Sequence, residues 1–342
     1  MVEWRKIEDS CRVISPSKKL VKELYAEEGL YPIIDQGQKE IVGYTNDCSA
    51  IIPDDEYVLF GDHTRYIKYH NGSFAQGADG LKILKTHVGI LPRYFYYAFS
   101  NVDVPSRGYS RHWTIAKELL IPIPSMLEQQ KIVEQLDTFT SSIENLKEQI
   151  ALRRKQYEYY RDQLLDLEGK DGTEMKIADF CLLKAGKSIS SEDITENESD
   201  NSYPCIGGNG KRGYVSYFSH EGAYPIIGRQ GALCGCVNWI TGKFYATEHA
   251  VVAKGSAFMD QRFLFYLFEN ANLNQYKTQG AQPGLSVAKL NEVRFIIPPL
   301  AEQQRIVGIL DVFEESIQNL EAQLAGREKQ YEYYRNKLLT FE

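Results

Sequence analysis

The sequence has no apolar stretch approaching the roughly 18 uncharged residues that would span a bilayer, and its start, Met1-Val2-Glu3-Trp4-Arg5-Lys6, lacks the apolar core of a signal peptide. A cytoplasmic location with no membrane partner is expected. The six cysteines, Cys11, Cys48, Cys181, Cys205, Cys234 and Cys236, show no disulfide-framework spacing. A reducing compartment keeps such residues as thiols, most simply small buried ones. Excess positive charge is missing too: 39 Lys+Arg stand against 46 Asp+Glu, a net −7, which taken whole argues against a nucleic-acid binder. There is no P-loop, no G-x-S-x-G elbow and no Rossmann strand–turn–helix fingerprint unit, so nucleotide-driven and serine-nucleophile chemistry find no support. Cys234-Gly235-Cys236 with His249 or His220 suggests zinc at first sight. Structural zinc usually takes four ligands in paired C-x-x-C-type spacing, and the first half of the chain offers no equivalent. No catalytic residue, metal or cofactor is expected in this chain.

What is present is a chain of 342 residues, 43% hydrophobic and 25% charged, long enough for two globular domains of about 150 residues. Its acidity is localised. Residues 128–168 hold 6 basic and 9 acidic side chains and residues 302–342 hold 5 and 8, which together account for −6 of the net −7. Elsewhere residues 60–117 carry 8 basic and 3 acidic side chains, and residues 201–300 carry 9 and 5. Two moderately basic regions therefore sit on an acidic frame.

Those two acidic segments are copies. Shifted by 174, residues 128–168 overlie 302–342 without a gap, with 25 of 41 positions identical. Upstream the similarity weakens and the offset drifts as loops gain or lose residues. Tyr31-Pro32 answers Tyr203-Pro204, Gly43-Tyr44 answers Gly213-Tyr214, and Lys6-Ile7 with Cys11 answers Lys176-Ile177 with Cys181. Short alternating runs such as Tyr57-Val58-Leu59-Phe60 and Ala250-Val251-Val252-Ala253 read as strands. Residues 93–100 and 262–269 read as short buried helices, and Ile121-Pro122-Ile123-Pro124 and Ile296-Ile297-Pro298-Pro299 as stiff extended leads.

In the first copied segment Ile132, Leu136, Phe139, Ile143, Leu146 and Ile150 alternate spacings of four and three, continuing through Arg153, Tyr157, Tyr160, Leu164 and Leu167. The second repeats this at Ile306, Leu310, Phe313, Ile317, Leu320 and Leu324, through to Phe341. A 3.5-residue repeat of that length predicts two long helices whose seams pair with each other. The five residues 169–173 reach at most about 18 Å, so the second domain begins beside the far end of the first helix. The second helix then returns most easily antiparallel. The expected fold is α+β: two mixed α/β domains separated by an antiparallel coiled coil, with an approximate two-fold internal duplication. Its parts are a first domain at 1–124, a helix at 125–168, a linker at 169–173, a second domain at 174–298 and a helix at 299–342.

Phe60-Gly61-Asp62-His63-Thr64-Arg65 looks catalytic in isolation, but its counterpart Ile227-Gly228-Arg229-Gln230-Gly231 keeps only the glycine. A glycine turn presenting polar side chains is the better account. Donors differ between the copies: Arg65, Lys68, Arg107, Tyr109, Arg111 and His112 in one, Lys211, Arg212, Arg229, Gln230, Lys277, Gln279 and Gln282 in the other. These side chains suit phosphates or base edges, Arg and Lys favouring guanine and Gln adenine. As a set, in glycine-containing loops, they are the candidate DNA contacts.

Two features carry a family resemblance. Pro124 to Glu128-Gln129-Gln130-Lys131-Ile132-Val133, repeated as Pro298-Pro299-Leu300-Ala301-Glu302-Gln303-Gln304-Arg305-Ile306-Val307, resembles the domain-to-helix signature of type I restriction–modification specificity subunits. Phe60-Gly61-Asp62-His63-Thr64-Arg65, Gly77-Ala78-Asp79-Gly80, Gly228-Arg229-Gln230-Gly231-Ala232 and Ala246-Thr247-Glu248-His249-Ala250 resemble patterns in that family's target-recognition domains. The resemblance implies a non-catalytic DNA-recognition subunit in which each domain reads one half of a bipartite double-stranded DNA target. The helices would set the gap and dock two modification (methyltransferase) subunits, and restriction or motor subunits join in some assemblies. S-adenosylmethionine, ATP and Mg would belong to those partners. The alternative from the residues alone is a coiled-coil scaffold with two protein-binding domains and no DNA role.

Overall fold

A computed structural model describes residues 2–77, 79–108, 110–231, 233–278 and 284–341. The first half runs β1 (Glu3–Lys6), α1 (Ile7–Ser10), β2 (Cys11–Ile14), β3 (Tyr31–Ile34), β4 (Gly43–Thr45), β5 (Ile51–Ile52), β6 (Glu56–Gly61), β7 (Ile67–Asn71), β8 (Phe74–Gln76), β9 (Leu81–Thr86), α2 (Pro92–Ser100), α3 (Trp113–Ala116), β10 (Leu120–Ile123) and the long helix α4 (Met126–Leu165). The second half repeats this plan: β11 (Thr173–Lys176), α5 (Ile177–Phe180), β12 (Cys181–Ala185), β13 (Tyr203–Gly207), β14 (Gly210–Val215), β15 (His220–Gly228), β16 (Val237–Ala246), β17 (Ala250–Gly255), α6 (Gln261–Asn270), α7 (Val287–Asn291), β18 (Arg294–Ile297) and the long helix α8 (Leu300–Leu339).

The two domains share one sheet path, cut differently. In the second, six strands run in the order β12-β17-β15-β16-β13-β14. In the first the same path is two four-stranded sheets, β2-β9-β6-β7 and β4-β3-β8-β5. The counterpart of β16 is divided into β7 and β8 around Gly72; a positive φ there (126°) is shared by Gly242 (86°) at the matching register inside the unbroken β16. The counterpart of β15 is divided into β5 and β6 by the segment Pro53-Asp54-Asp55. The proline-containing leads do more than stiffen: β10 pairs antiparallel with β1 and β18 with β11, tying each domain's start to its helix.

The chain divides into two compact units, Met1–Glu148 with Ala322–Glu342, and Gln149–Glu321. Each unit joins one sheet domain to one end of α4 and the opposite end of α8. In the first, Ile132 and Leu136 of α4 and Leu339 of α8 enter the core built on Val58, Phe60, Phe95 and Phe99. In the second, Leu165 of α4 and Ile306 and Leu310 of α8 enter the core built on Ile227, Val251, Phe263 and Leu264. Within each unit the helices are antiparallel. Phe139 stacks on Tyr334 and Lys147 pairs with Glu328 in the first; Tyr160 stacks on Phe313 and Arg154 pairs with Glu321 in the second. Along the seam Ile132, Leu136, Ile143, Ile150, Ile306 and Leu310 are buried, while Phe139, Leu146, Phe313, Ile317 and Leu320 are partly buried. The fold is two mixed α/β domains connected by a long antiparallel helix pair, as the repeat predicts.

Candidate nucleic-acid interface

In the first domain the turn after β6 is held from three sides. Asp62 donates its N–H to Gly80 O (2.6 Å), and its own carbonyl accepts from His112 N (2.8 Å). The Gln36 side chain accepts from His63 N (3.1 Å) and donates to Asp79 O (3.0 Å). Asp62 is 2% exposed, and its carboxylate accepts from Trp113 N (2.8 Å) with Lys82 at 3.9 Å. A Cβ on Gly61 would run into Thr64 Oγ1 and the Gln36 carbonyl, which is why glycine stands there.

These bonds bring the first set of candidates together. Arg65, at φ 63°, donates Nη1 to Val104 O (2.8 Å), linking the turn to the loop that carries Arg107 and Arg111, both exposed. His112 is 1% exposed with both ring nitrogens engaged: Nε2 accepts from Arg107 N (3.1 Å), so Nδ1 carries the proton and donates to Asp62 O (3.0 Å). Its role here is to shape the loop. Lys68 is likewise committed, donating to the carbonyls of Asp35 (3.0 Å) and Lys39, and burial lowers its ammonium pKa. Tyr109 lies outside the described residues.

The second domain repeats the frame with other side chains. Arg229 N donates to His249 O (3.0 Å) where Asp62 N donates to Gly80, and Arg229 O accepts from Leu285 N (2.8 Å) where Asp62 O accepts from His112. Asp62 and Arg229 are thus structural equivalents, as are His112 and Leu285. Gly228 matches Gly61, since a Cβ there would run into the Gly208 carbonyl in the β13–β14 hairpin. Gln230 is exposed and bridges to Gly284. Lys211 and Arg212 are exposed on β14, Lys211 donating to the Tyr214 hydroxyl (2.9 Å), and Lys277 is exposed near Cys234. Gln279 and Gln282 lie outside the described residues. Arg229, Gln230 and the turn of residues 247–249 are drawn together, with the β13–β14 hairpin against them. Cys234 is buried in the core and Cys236 is exposed. Among the described residues no group of three or more His, Cys, Asp and Glu side chains is placed to hold a metal ion.

Sequence reasoning passed over the residues that fix each domain to its helix. Gln129 and Gln303, both fully buried, make matching bonds. Gln129 Nε2 donates to Gly89 O (3.0 Å) and Pro124 O (2.9 Å) while Oε1 accepts from Leu91 N (2.9 Å). Gln303 Nε2 donates to Phe258 O (3.1 Å) and Pro298 O (2.9 Å) while Oε1 accepts from Asp260 N (2.8 Å). A second pair repeats as well. Arg93 and Tyr97 both bond Asp137 (2.8 and 2.5 Å), and Arg262 and Tyr266 both bond Asp311 (2.8 and 2.5 Å). The Arg93 guanidinium also lies 4.6 Å from the Tyr69 ring centre and that of Arg262 5.0 Å from Trp239. The signal was in the sequence, because Gln129, Asp137 and Tyr97 all recur in the second copy.

Comparison with known proteins agrees with this duplicated plan. A family model described as the type I restriction modification DNA specificity domain matches residues 1–153 and again residues 169–326. The type I restriction enzyme EcoprrI specificity subunit of Escherichia coli is 42% identical over 243 residues, covering 64% of this chain and 60% of that protein. The EcoR124I/EcoR124II specificity subunit of Escherichia coli is 27% identical across 99% of this chain and 94% of its own length. In fold, the chain resembles the crystal structure of a type I restriction–modification S subunit from M. genitalium, with a TM-score of 0.74 at 18% identity over 100% of this chain and 97% of that one. Repeated domains, repeated helix anchors and a doubly matched family model identify the chain as a member of the type I restriction–modification specificity subunits, the non-catalytic specificity components of those systems.

Proposed function

We propose that each sheet domain reads one half of a bipartite duplex DNA sequence, and that the α4–α8 pair sets the gap between the halves and docks two modification subunits. The observation that carries this reading is the equivalence of Asp62 with Arg229 and of His112 with Leu285: one backbone frame, held by the same hydrogen bonds, presents different side chains in its two copies. A scaffold for identical partners has no reason to vary those positions while keeping Gln129 and Gln303, or Asp137 and Asp311, alike. Arg65, Arg107 and Arg111 serve the first half-site, and Lys211, Arg212, Arg229, Gln230 and Lys277 the second, with Tyr109, Gln279 and Gln282 as further candidates. Lys68 and His112 act through the shape of the loops. S-adenosylmethionine, ATP and Mg belong to the partner subunits, and the assembly works in the cytoplasm; no helix among the described residues is long and apolar enough to cross a membrane.

The test is binding of the chain, assembled with its modification subunits, to duplexes randomised in one half at a time, at several salt concentrations. Selection of a defined sequence in each half, with affinity falling linearly in log salt, is the expected outcome. Assembly without any DNA selection would favour the protein-binding scaffold.

A further inference from the structure

The β13–β14 hairpin ends in a tight tip, Gly208-Asn209, closed by the pairing of Gly207 with Gly210. Gly210, at φ 88°, turns the chain into β14 in a conformation that glycine adopts without strain. The tip is seated on two turns of the second domain's frame, since a Cβ on Gly208 would lie 3.1 Å from His249 O and 3.4 Å from Gln230 O. Beside the tip, Arg212 runs its stem over the buried Gly207. A Cβ on Gly207 would meet Arg212 Cδ at 2.6 Å and Cγ at 3.0 Å. The glycine is thus a floor for the aliphatic part of Arg212, and it sets the place from which the guanidinium reaches out.

That guanidinium is exposed and, among the described residues, has no hydrogen-bond or ion-pair partner. The other side chains at the tip leave it free: Asn209 and Gln230 are exposed and neutral, and Lys211 is engaged with the hydroxyl (2.9 Å) and ring (4.6 Å) of Tyr214. A planar fork of donors held by its stem, rather than by an acceptor within the chain, suits the paired O6 and N7 acceptors of guanine. Those edges lie in the major groove, which admits a two-stranded β-ribbon. At the matching place in the first domain the chemistry is different. Gly43 corresponds to Gly213 in ladder register, and the residue before it is Val42, packed against Ile33 and Ala75. The longer loop there, residues 35–42 against 207–212, is pinned by Lys68 at the carbonyls of Asp35 and Lys39. The hairpin arginine therefore belongs to the second domain alone, as a group that reads one half-site must.

Resting on the DNA-reading function set out above, we propose that the β13–β14 hairpin is a base-reading ribbon of the second domain, in which Arg212 donates to O6 and N7 of a guanine in the second half-site. Arg212 is then a specificity-determining residue and not a phosphate contact, and Gly207 is the positioning residue beneath it.

The experiment uses the full chain assembled with its modification subunits and a library of duplexes randomised in the second half-site, comparing wild type with Arg212→Gln and Gly207→Ala. Wild type should select guanine at one position. R212Q, which removes the fork, should lose that preference by roughly 5- to 150-fold with selection at the other positions unchanged. G207A keeps the arginine but fills the floor under its stem, at a strand position that alanine can occupy, and should weaken selection at the same position and no other. An R212Q that still selects guanine there, or one that binds every sequence more weakly by the same factor, overturns the inference while leaving the DNA-reading function intact. A G207A that selects as wild type does, or that weakens all sequences alike, overturns the role given to Gly207. A wild-type complex that selects no sequence in this half overturns both the inference and the function on which it rests.

Discussion

The ring of Phe139 stacks on that of Tyr334 with centres 5.3 Å apart and planes at 20°, and the Arg327 guanidinium lies over the Phe139 ring at 5.7 Å. Shifting each number by 174 reproduces the contact: Tyr160 stacks on Phe313 at 5.3 Å and 27°, with Arg153 at 5.8 Å. An aromatic pair of this geometry contributes about 0.5–1.5 kcal/mol beyond the area it buries. The double variant Phe139→Ala with Tyr334→Ala should therefore be less destabilised than the sum of the two single variants by about that amount. Denaturant unfolding checks it, and strictly additive losses would mean that the seam is held by neighbouring aliphatic residues alone.

Gln129 offers a sharper contrast. Gln129→Ala strands the Leu91 N–H and the Gly89 and Pro124 carbonyls in a buried place, at about 1–3 kcal/mol for each group that finds no water. Gln129→Glu keeps the acceptor but removes both donors and adds a buried charge, so it should be worse than Ala although it is nearly isosteric. Gln303→Glu should behave alike in the second unit. Thermal unfolding ranks the variants; a Glu variant as stable as wild type would show that the pocket admits water.

Acid should loosen the first domain through His70. Its ring sits edge-on to Phe74 with centres 4.9 Å apart, and burial pushes its pKa below the usual 6.5, with the Ser73 backbone and Glu40 acting weakly the other way. Because the folded value lies below the unfolded one, the unfolded chain takes up the proton first as pH falls. Stability from this group is full above about 6.5 and declines as pH drops from there to the depressed value. His220, lowered by burial against Phe244 and by Lys184, acts in the same sense in the second domain. Melting curves at pH 7.5 and 5.5 should show a smaller acid-induced drop for His70→Gln than for wild type, and an equal drop would assign the sensitivity elsewhere.

The helices were legible in the sequence because a 3.5-residue repeat and a gapless copy are one-dimensional signals, and nothing in the tertiary structure has to be known to see them. Each site was legible only as a region. Lys68 and His112 look like free donors in a loop, yet their partners, the carbonyls of Asp35, Lys39 and Asp62, lie 29 to 50 residues away in the chain. The match of Asp62 with Arg229 is likewise invisible to alignment by residue type, since it consists of shared backbone bonds under opposite charges. Gln129 and Gln303 were visible as letters of a repeated signature, but their role depends on loops that return from the preceding domain.

The exposed side chains, rather than the inward-facing ones, put the proposed DNA reading to the test. Arg111 and Gln230 are exposed, one on the loop anchored by His112 and the other on the turn after Gly228, and each is tied to its own domain's frame. If the domains read separately, Arg111→Ala should alter binding through the first half-site only and Gln230→Ala through the second only. A lost base contact should cost about 1–3 kcal/mol and relax selection at one position, whereas a lost phosphate contact should weaken all sequences alike and, for Arg111, reduce the slope of log affinity against log salt by about one. Gln230 is neutral, so its variant should leave that slope unchanged whichever group it touches. Binding to duplexes randomised in one half at a time, across a salt series, separates these outcomes. Losses shared equally between the halves would mean that the two domains do not read independently, and unchanged binding by both variants would return Arg111 and Gln230 to the solvated surface.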